Sequence, residues 1–589
     1  MNNKPITLKT IFNLILEKKP ALMYGQIVTL LAILVSVPIP LMLPVMVDEV
    51  LLDKPAHFVE SINFFLGSTT ALYYIAIVTV VVIVLRFIYY FLGVVITKIF
   101  TKISKHVTFM IRKRLIEHLK IASMNEYETL GSGAITANLV TDVNTLDNFI
   151  MTSASKLVSS VLTLVAVGIV MILIDPILGI FILVIQPLIM LLSKKMSNIV
   201  GELKKDENSA IEKFQDNVGE TLDLYGQIKA SNKEEYFFSN AITHAKEVQT
   251  TSNEYGYKSV AYEKLSYSIF LVMYEILRAS GLLLVVYSDL SIGMMFAMFG
   301  YIWFIMTPVQ DILSMQYSYA SAMSALKRVN KILTLKTEKS GDKKIESKEL
   351  EISLKNLDFS YSNEKKVLKD ISLDIEAGCK IALIGASGSG KTTLAQVISG
   401  FYAKESGSLQ YNGIDIEEID KSSLRQRIFL VLQMPILFNS TLRFNITMGD
   451  ESISDEKIYE ALKTAQLTDM IEEMPDKLDT IVGRHGIRLS GGQRQRLSIA
   501  RMIIADPSVV IFDESTSALD VHTEAKLQTT IAPLLKDKTV ITIAHRLSTV
   551  KNADVIYVLD GGKIVQQGTH DELEDEEGHY MEFIKKQLL

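Results

Sequence analysis

The sequence predicts two folds in one chain, an α-helical membrane domain followed by an α/β domain. Three observations predict them. Hydrophobic residues make up 49% of the 589-residue chain, and the excess lies before residue 316. From about residue 380 onward, apolar strand-like runs end in glycine-rich or acidic turns. The chain is also too long for a single hydrophobic core.

The composition divides the chain into four parts. Residues 1–19 form an apolar run interrupted by Lys9, Lys18 and Lys19, with no small-residue cleavage site, which excludes a signal peptide. We expect an amphipathic helix on the membrane surface there. Residues 20–336 form the transmembrane domain, the polar segment 337–351 is the linker, and 352–589 form the α/β domain.

Six segments are apolar and long enough to cross a bilayer. The first is uncharged and includes Pro38, Pro40 and Pro44, which membrane helices tolerate. The third and fourth form a hairpin around Asp175 and Pro176. The predicted spans are 20–47, 65–97, 157–174, 176–193, 265–288 and 290–312.

Basic residues predict the orientation of these spans. Lysine and arginine are frequent between spans two and three, from Lys98 to Lys120, and between spans four and five, from Lys194 to Lys229, whereas the other three connections contain only Lys54. By the positive-inside rule, both termini are cytoplasmic. The long charged connections keep helical periodicity, so we expect the helices to continue out of the bilayer.

The run GASGSGKT at 385–392 fits the phosphate-binding pattern that joins a strand to a helix. Its glycines let backbone N–H groups face a phosphate, and the helix N-terminus adds positive potential. Lys391 supplies a charge for the phosphates, and the Thr392 hydroxyl can bind Mg²⁺. The predicted ATP-binding residues here are Gly385, Ala386, Ser387, Gly388, Ser389, Gly390, Lys391, Thr392 and Thr393.

Two adjacent carboxylates end the strand VVIFDE at 509–514. We expect Asp513 to hold Mg²⁺ through water and Glu514 to polarise an attacking water. A surface Asp-Glu pair at a strand end is the alternative. The phosphate loop at another strand end favours catalysis.

LSGGQ at 489–493 forms a turn that opens a helix, and such a helix start can bind an anion. The domain already has its phosphate loop, so a second anion site suggests that two copies pair. Each copy would present Ser490, Gly491, Gly492 and Gln493 to the other's nucleotide.

With these motifs in this order, the chain from about residue 20 to the end resembles an ABC transporter of the exporter type. The resemblance implies that Tyr361 stacks on adenine and that Gln433 contacts Mg²⁺. It also implies that Asp520 crosses a dimer interface and that His545 contacts the γ-phosphate and holds Glu514. Short helices near 122–131 and 220–231 would transmit closure of the ATP-binding domain.

One segment departs from the family pattern. The family has TEVGERG before its signature, whereas this chain has TIVGRHG at 480–486, with Ile481 and Arg484 replacing two glutamates. The pairing between domains at this loop is therefore in doubt.

The resemblance implies an ATP-hydrolysing exporter that moves an amphipathic or hydrophobic substrate, a lipid or drug-like compound, by alternating access. A peptide exporter, an importer and an ATPase that regulates another membrane protein without transport are the alternatives. Peptide processing is disfavoured because no protease domain precedes the first span. Long cytoplasmic helices and the fused chain disfavour an importer.

Candidate substrate contacts come from charges within spans, which are costly and often functional. Arg86 lies in the second span, and Glu275 and Arg278 are spaced to pair on one helical face. An ion pair that fixes packing is the alternative to a polar patch. The Met and aromatic residues of span six, from Met294 to Trp303, would line an apolar pocket or simply pack.

The partners that we expect are a second identical chain, the lipid bilayer and a small amphipathic substrate, and a heterodimer with a similar chain stays open. No basic domain indicates nucleic acid. The single cysteine, Cys379, precludes an intramolecular disulfide. We expect a multi-pass protein of the bacterial inner (plasma) membrane.

Overall fold

A computed structural model describes residues 4–588 apart from 55–56, 67–69, 362–365, 434, 484–486, 488, 514–519 and 545. The chain divides into two compact units. The membrane unit contains residues up to 116 together with 136–333, and the motor unit contains 117–135 together with the residues from 334 onward.

The membrane unit is helical, and four of its helices have 42 to 54 residues. At a rise of about 1.5 Å per residue, the longest extends about 80 Å, far more than a bilayer core of about 30 Å. This agrees with the expectation that helices continue beyond the membrane.

The helices before residue 334 are α1 (Leu8–Leu16), α2 (Lys19–Ser36), α3 (Met42–Pro44), α4 (His57–Leu66), α5 (Ala71–Leu119), α6 (Met124–Leu130), α7 (Ser132–Ala137), α8 (Val143–Met151), α9 (Val158–Ile174), α10 (Pro176–Asp223), α11 (Tyr225–Ala230), α12 (Glu234–Tyr287) and α13 (Ile292–Leu333), with π-helical segments at Val45–Leu51, Asn138–Asp142 and Thr152–Leu157.

Within the described residues, five helical stretches are long and apolar enough to cross a membrane by length and composition. They are Lys19–Ser36, Ala71–Leu119, Ser132–Ile174, Glu234–Tyr287 and Ile292–Ile312. A shorter apolar stretch, Pro176–Ile185, begins α10 at the predicted fourth span. Asp175 separates it from α9 and accepts a hydrogen bond from the backbone N–H of Leu178 at 2.8 Å.

The first predicted span, 20–47, is not one continuous helix. α2 ends at Ser36, and Pro38, Pro40 and Pro44 follow. Proline has no N–H to donate and its ring clashes with the preceding turn, so the α-helical ladder cannot continue. The chain instead makes tighter bonds, for example from Leu41 N–H to the carbonyl of Pro38 at 3.0 Å.

The second predicted span, 65–97, also begins differently. Residues 65 and 66 belong to α4, and the long helix α5 begins at Ala71.

Asp48, within the π-helical segment after Pro44, accepts hydrogen bonds from Gly293 N–H at 2.9 Å and from the Ser291 hydroxyl at 2.5 Å. This carboxylate therefore ties the end of the first span to the start of α13.

The motor unit contains two main sheets. Its elements after residue 334 are β1 (Ile352–Phe359), β2 (Leu368–Ile375), β3 (Lys380–Gly385), α14 (Lys391–Ile398), β4 (Ser406–Tyr411), β5 (Ile414–Asp415), α15 (Lys421–Arg427), β6 (Ile428–Val431), β7 (Ser440–Thr441), α16 (Leu442–Thr447), α17 (Asp455–Thr464), α18 (Thr468–Glu472), β8 (Ile481–Val482), α19 (Gly491–Ala505), β9 (Val509–Asp513), α20 (Val521–Ile531), β10 (Thr539–Ile543), α21 (Leu547–Val550), β11 (Val555–Asp560), β12 (Lys563–Gly568), α22 (His570–Glu574) and α23 (His579–Leu588), with short 3₁₀ turns at Lys477–Asp479 and Ala532–Leu535. Strands β12-β11-β3-β10-β9-β6 form a six-stranded sheet, β2-β1-β4-β5 a four-stranded antiparallel sheet, and β7-β8 a short ribbon.

The six-stranded sheet positions the site. Neighbours β11, β3, β10, β9 and β6 are parallel, and only β12 is antiparallel. All five residues of β9 are buried, as expected for a strand covered on both faces. Ligands bind at the carboxyl ends of such strands, where the phosphate loop and Asp513 both lie.

The predicted linker 337–351 packs on the motor unit. Gly341 N–H donates to the carbonyl of Ile419 at 3.0 Å, and Lys343 forms a parallel bridge with Ile419. Ile345 and Leu350 are buried in the same core as β1 and β3. This segment is therefore an ordered part of the motor unit.

Candidate nucleotide site and coupling contact

The glycine-rich loop 385–392 connects β3 to α14. Gly385 has φ +147°, and a Cβ there would lie 2.0 Å from the carbonyl oxygen of Leu559. Gly390 caps α14 with φ +103°, and a Cβ there would lie 2.9 Å from Leu368 Cδ2. Only glycine fits both positions, and the resulting turn opens directly into a helix N-terminus, where anions bind.

Two polar side chains of the loop suit phosphate oxygens. Lys391 is 6% exposed, and its Nζ donates to the carbonyl oxygens of Gly385 and Ala386, each at 2.9 Å. Ser389 Oγ is buried and has no hydrogen-bond partner among the described residues. A buried hydroxyl without a partner is costly, so a ligand oxygen at this place would satisfy it. The residues of the loop therefore fit a nucleotide phosphate.

The structure brings Thr392 and Asp513 together. Thr392 Oγ1 donates to Asp513 Oδ1 at 3.2 Å, and Asp513 is 5% exposed at the end of β9. The two residues lie at one edge because β3 and β9 both pair in parallel with β10. Hydroxyl and carboxylate oxygens are ligands that Mg²⁺ prefers, so this pair fits the predicted metal position.

Glu514 and His545 lie outside the described residues. The residues before them are described: Asp513 and Ile543 are register partners on β9 and β10. The catalytic roles that we expect for Glu514 and His545 stay predictions.

Gln433 lies in the loop after β6, and its side chain is exposed. Its backbone carbonyl accepts a hydrogen bond from Gln495 Nε2 at 3.1 Å. Gln495 is 3% exposed on α19, the helix that follows LSGGQ. Sequence reasoning missed Gln495, because no motif links a buried glutamine on one helix to a distant loop.

Tyr361, the predicted adenine-stacking residue, lies next to the phosphate loop. Its hydroxyl is 2.9 Å from Thr393 Oγ1, and 38% of the residue is exposed. Its ring meets Phe359 edge-to-face at 5.0 Å and Tyr402 at 5.2 Å. The ring is thus fixed by two aromatic neighbours and still has an exposed surface for a base.

The LSGGQ turn caps α19 reciprocally. Ser490 Oγ accepts from Gln493 N–H at 3.2 Å, and Gln493 Oε1 accepts from Ser490 N–H at 2.8 Å. Ser490 and Gly491 are exposed. This capping box holds the turn open for an external anion without support from the phosphate loop.

Asp520 caps α20 by accepting from Thr523 N–H at 2.9 Å. Hydrogen bonds from the side chain and backbone of Thr523 lower the pKa of the Asp520 carboxyl. Asp520 is exposed and therefore available to a partner surface.

The short helix α6 docks within the motor unit, at the predicted segment 122–131. Tyr402 donates its hydroxyl to Glu128 Oε2 at 2.7 Å, and Met124 packs against the core that contains β1 and β3. Ser123 N–H donates to the carbonyl of Lys336 at 2.9 Å, and Ala122 bridges to Thr337. This segment therefore contacts the core of the motor unit, and its role in transmitting closure stays a prediction.

Tyr402 contacts both this helix and Tyr361. It is 6% exposed and touches Tyr361 on one side and Glu128 on the other. Burial, and to a lesser degree the Glu128 carboxylate, raises the pKa of the Tyr402 hydroxyl, so it stays protonated and remains a donor. Neither Tyr402 nor Glu128 was singled out from the sequence, because 274 positions separate them.

Comparisons with known proteins bear on both units. Residues 22–309 match the ABC transporter transmembrane region, and residues 368–517 match the ABC transporter family of ATP-binding domains. An ATP-dependent lipid A-core flippase of Pasteurella multocida is 32% identical over 493 residues, which is 80% of this chain and 82% of the flippase. The chain belongs to the ABC transporter family.

Two further relatives extend the comparison. A Bacillus subtilis protein whose name proposes a multidrug export ATP-binding/permease role is 29% identical, covering 82% of this chain and 84% of that protein. The solved structure of a bacterial Atm1-family ABC exporter with ATP bound matches with a TM-score of 0.79 at 22% identity, over 96% of this chain and 99% of that one. This last likeness concerns the fold alone.

As an ABC transporter, the protein binds nucleotide in the motor unit and couples ATP hydrolysis to transport across a membrane. The family departure at TIVGRHG falls partly outside the described residues, since Arg484 is among those not described. Ile481 is described: it pairs with Thr441 in the β7-β8 ribbon and is 56% exposed.

The charges within the transporter's membrane spans form one clear pair. Arg278 Nη2 lies 2.5 Å from Glu275 Oε2, as the spacing predicts, and both side chains are more than half exposed in the single chain. Arg86 is also exposed. In span six, Met295, Met298 and Phe299 are buried in the membrane core, whereas Trp303 is 45% exposed. Met295, Met298 and Phe299 therefore pack in a buried cluster of the membrane unit, and a role in substrate binding stays a prediction.

Proposed function

We propose that this transporter is an exporter that moves an amphipathic or hydrophobic substrate, a lipid or drug-like compound, out of the cytoplasm or the inner leaflet. The observation that carries the proposal is the contact of α6 with Tyr402, which in turn contacts Tyr361, the ring that we expect to stack on adenine. Through these contacts, nucleotide binding would be transmitted to α6. The names of the flippase and multidrug-export relatives support the substrate class.

The nucleotide would be held by the loop 385–392, with Lys391 and Ser389 on its phosphates and Tyr361 against its base. Thr392, Asp513 and Gln433 would hold Mg²⁺, which neutralises charge on the phosphates. Glu514 would orient and deprotonate the attacking water, and His545 would hold Glu514 in place.

The assembly would be a homodimer. The exposed LSGGQ turn of one copy would complete the phosphate site of the other, and Asp520 would lie at the same interface. One chain contains both a phosphate loop and an LSGGQ turn, so two identical copies suffice for two competent sites. Repulsion between the products of hydrolysis would then separate the two motor units.

The orientation that we propose places both termini in the cytoplasm of a bacterial cell, because lysine and arginine concentrate in two of the five connections. α6 follows Lys120, the last residue of the first basic run, just beyond the end of α5. Alternating access would follow from a shift between two states, limited by the difference in ATP affinity for them.

The test uses full-length protein in proteoliposomes, with ATP hydrolysis and movement of a labelled lipid or dye measured together. Lys391→Ala and Glu514→Gln should each abolish ATP-driven movement, and Glu514→Gln should also reduce hydrolysis at least about 100-fold. Lys355→Ala, at an exposed lysine of the same unit, is the matched control and should leave both rates unchanged.

Two outcomes would contradict the proposal. Near-normal hydrolysis in Glu514→Gln would remove Glu514 as the base. Hydrolysis without movement of any tested compound in the wild type would favour the alternative of an ATPase that regulates another membrane protein.

A further inference from the structure

An apolar groove of about 770 Å³ opens on the surface of the membrane unit. Its walls come from three places: α1, the first half of α2, and the region where α8 passes into α9. All of its lining side chains are apolar except Gln26 and Ser153. The volume lies within the range of about 300–1,000 Å³ that ligand sites occupy.

The groove exists because α1 is held against the unit at its start and lies across it. Asn330 Nδ2 donates to the carbonyl of Ile6 at 2.8 Å, and Ile6 N–H donates to Asn330 Oδ1 at 2.7 Å. Ile11 is 3% exposed and anchors the apolar face of α1. The groove therefore has a fixed wall.

The groove is continuous with the lipid-facing surface. Phe12 on α1 and Ile27 on α2 line it, yet they are 58% and 55% exposed. A wall this apolar does not hold ordered water, and leaving the groove empty would forfeit contacts on all sides. In a bilayer the molecule at hand to fill it is a lipid acyl chain.

Two lysines lie at the junction of the helices α1 and α2 that line the groove. Lys18 and Lys19 lie at the junction of α1 and α2, between the lining residues Ile15 and Leu22, and both are exposed. The adjacent Glu17 lies beside His106, with Oε2 3.4 Å from Nε2. Two exposed ammonium groups beside an apolar groove match an acyl chain that carries an anionic phosphate at its end.

We propose that this groove is a binding site for an anionic phospholipid of the cytoplasmic leaflet, with one acyl chain between α1 and α2 and the phosphate at Lys18 and Lys19. The lipid is resident and is not the transported substrate, and the surface helix α1 forms one wall of its site. The choice of leaflet rests on the orientation proposed above; the site itself does not depend on the exported compound.

Lipid selectivity tests the proposed contact between the lipid phosphate and the side chains of Lys18 and Lys19. Full-length protein is equilibrated in nanodiscs of equal phosphatidylglycerol and phosphatidylcholine with the same acyl chains, and retained lipids are counted by native mass spectrometry. Wild type should retain phosphatidylglycerol with roughly 30-fold preference, the effect of two lysines near an anionic head group. The double variant Lys18→Gln, Lys19→Gln should lose that preference and keep a lipid, whereas Lys102→Gln, an exposed lysine of α5, should keep it.

A larger side chain in the groove tests whether an acyl chain binds there. Ile27→Trp places an indole in the groove and should reduce retained lipid about tenfold, whereas Leu31→Trp, an exposed apolar position of α2 outside the lining, should not. Basal ATP hydrolysis of both variants reports that they are folded.

Three results would overturn the proposal: equal retention in Ile27→Trp and wild type, equal retention of the two lipids by wild type, or equal losses in Ile27→Trp and Leu31→Trp. Release of the lipid during ATP turnover would also overturn it, because a transported substrate leaves its site and a resident lipid stays. Failure of the export assay leaves all of these measurements intact, so the two proposals fail separately.

Discussion

The contact between Tyr402 and Glu128 predicts a specific effect of removing one oxygen atom. Tyr402→Phe keeps the buried ring and its contacts with Phe359 and Tyr361, and it deletes the hydroxyl that donates to Glu128 at 2.7 Å. A hydrogen bond to a charged group contributes about 1.5–3 kcal/mol when buried. Glu128 is exposed, so water replaces part of the bond, and we expect a loss of about 1 kcal/mol.

That loss should loosen α6 and leave the nucleotide site intact. A change of about 1 kcal/mol corresponds to about fivefold in a local opening equilibrium. Hydrogen exchange of the backbone amides of residues 122–131, measured by mass spectrometry on full-length protein, should therefore become about fivefold faster. Basal ATP hydrolysis should stay within about twofold of wild type, and substrate moved per ATP should fall.

Two further variants separate this contact from general effects of tyrosine removal. Tyr459→Phe alters an exposed tyrosine of α17 in the same unit and should change nothing. Glu128→Ala combined with Tyr402→Phe should loosen the helix no more than Glu128→Ala alone, because both delete the same bond. Unchanged exchange in Tyr402→Phe, or fully additive effects in the double variant, would refute the reasoning.

Three other changes test separate parts of the molecule. Arg328 donates from Nε and Nη2 to Asp142, at 3.0 and 2.6 Å to Oδ1, and Asp142 is 4% exposed. Half of the Arg328 side chain is exposed, so water screens the pair, and Arg328→Ala should destabilise the membrane unit by about 1–2 kcal/mol in thermal unfolding; a melting point equal to wild type would contradict this. Lys366 lowers the pKa of the Asp358 carboxyl to about 2, below its ordinary value of about 3.9. The stability from this contact is therefore complete above about pH 4 and is lost as the pH falls toward 2, and Asp358→Asn should flatten acid unfolding in that window, followed by circular dichroism. Gly385→Ala should abolish binding of a fluorescent ATP analogue, because its Cβ would lie 2.0 Å from a backbone carbonyl; normal binding would show that the loop can relax.

Local motifs in the sequence predicted much of the nucleotide site. The glycines of 385–392 predict the backbone conformation of this loop. The ends of β3 and β9 place Thr392 near Asp513, because the carboxyl ends of parallel strands lie at one edge of the sheet. Gln495 and Tyr402 could not be predicted in this way. Their partners, Gln433 and Glu128, are distant in sequence, and a buried glutamine or tyrosine has no local signature.

In the membrane unit, the sequence likewise predicted apolar segments but not where one of their helices ends. Hydropathy predicted the candidate spans, because apolar length is what a bilayer selects. It did not predict that the stretch 20–47 breaks after Ser36, although Pro38 and Pro40 in that stretch cause the break. Membrane helices tolerate single prolines, whereas two prolines close together remove successive donors and end the helix.

The membership of residues 117–135 in the motor unit has a practical consequence for dissecting the protein. A gene fragment that begins near residue 336 would encode the motor unit without residues 117–135. This missing segment contains Glu128, which contacts Tyr402, and Met124, which packs on the core. Such a fragment would expose to water the apolar surface that Met124 covers. Supplying residues 117–135 as a separate peptide, or fusing them ahead of the cut, is therefore the rational route to an isolated motor.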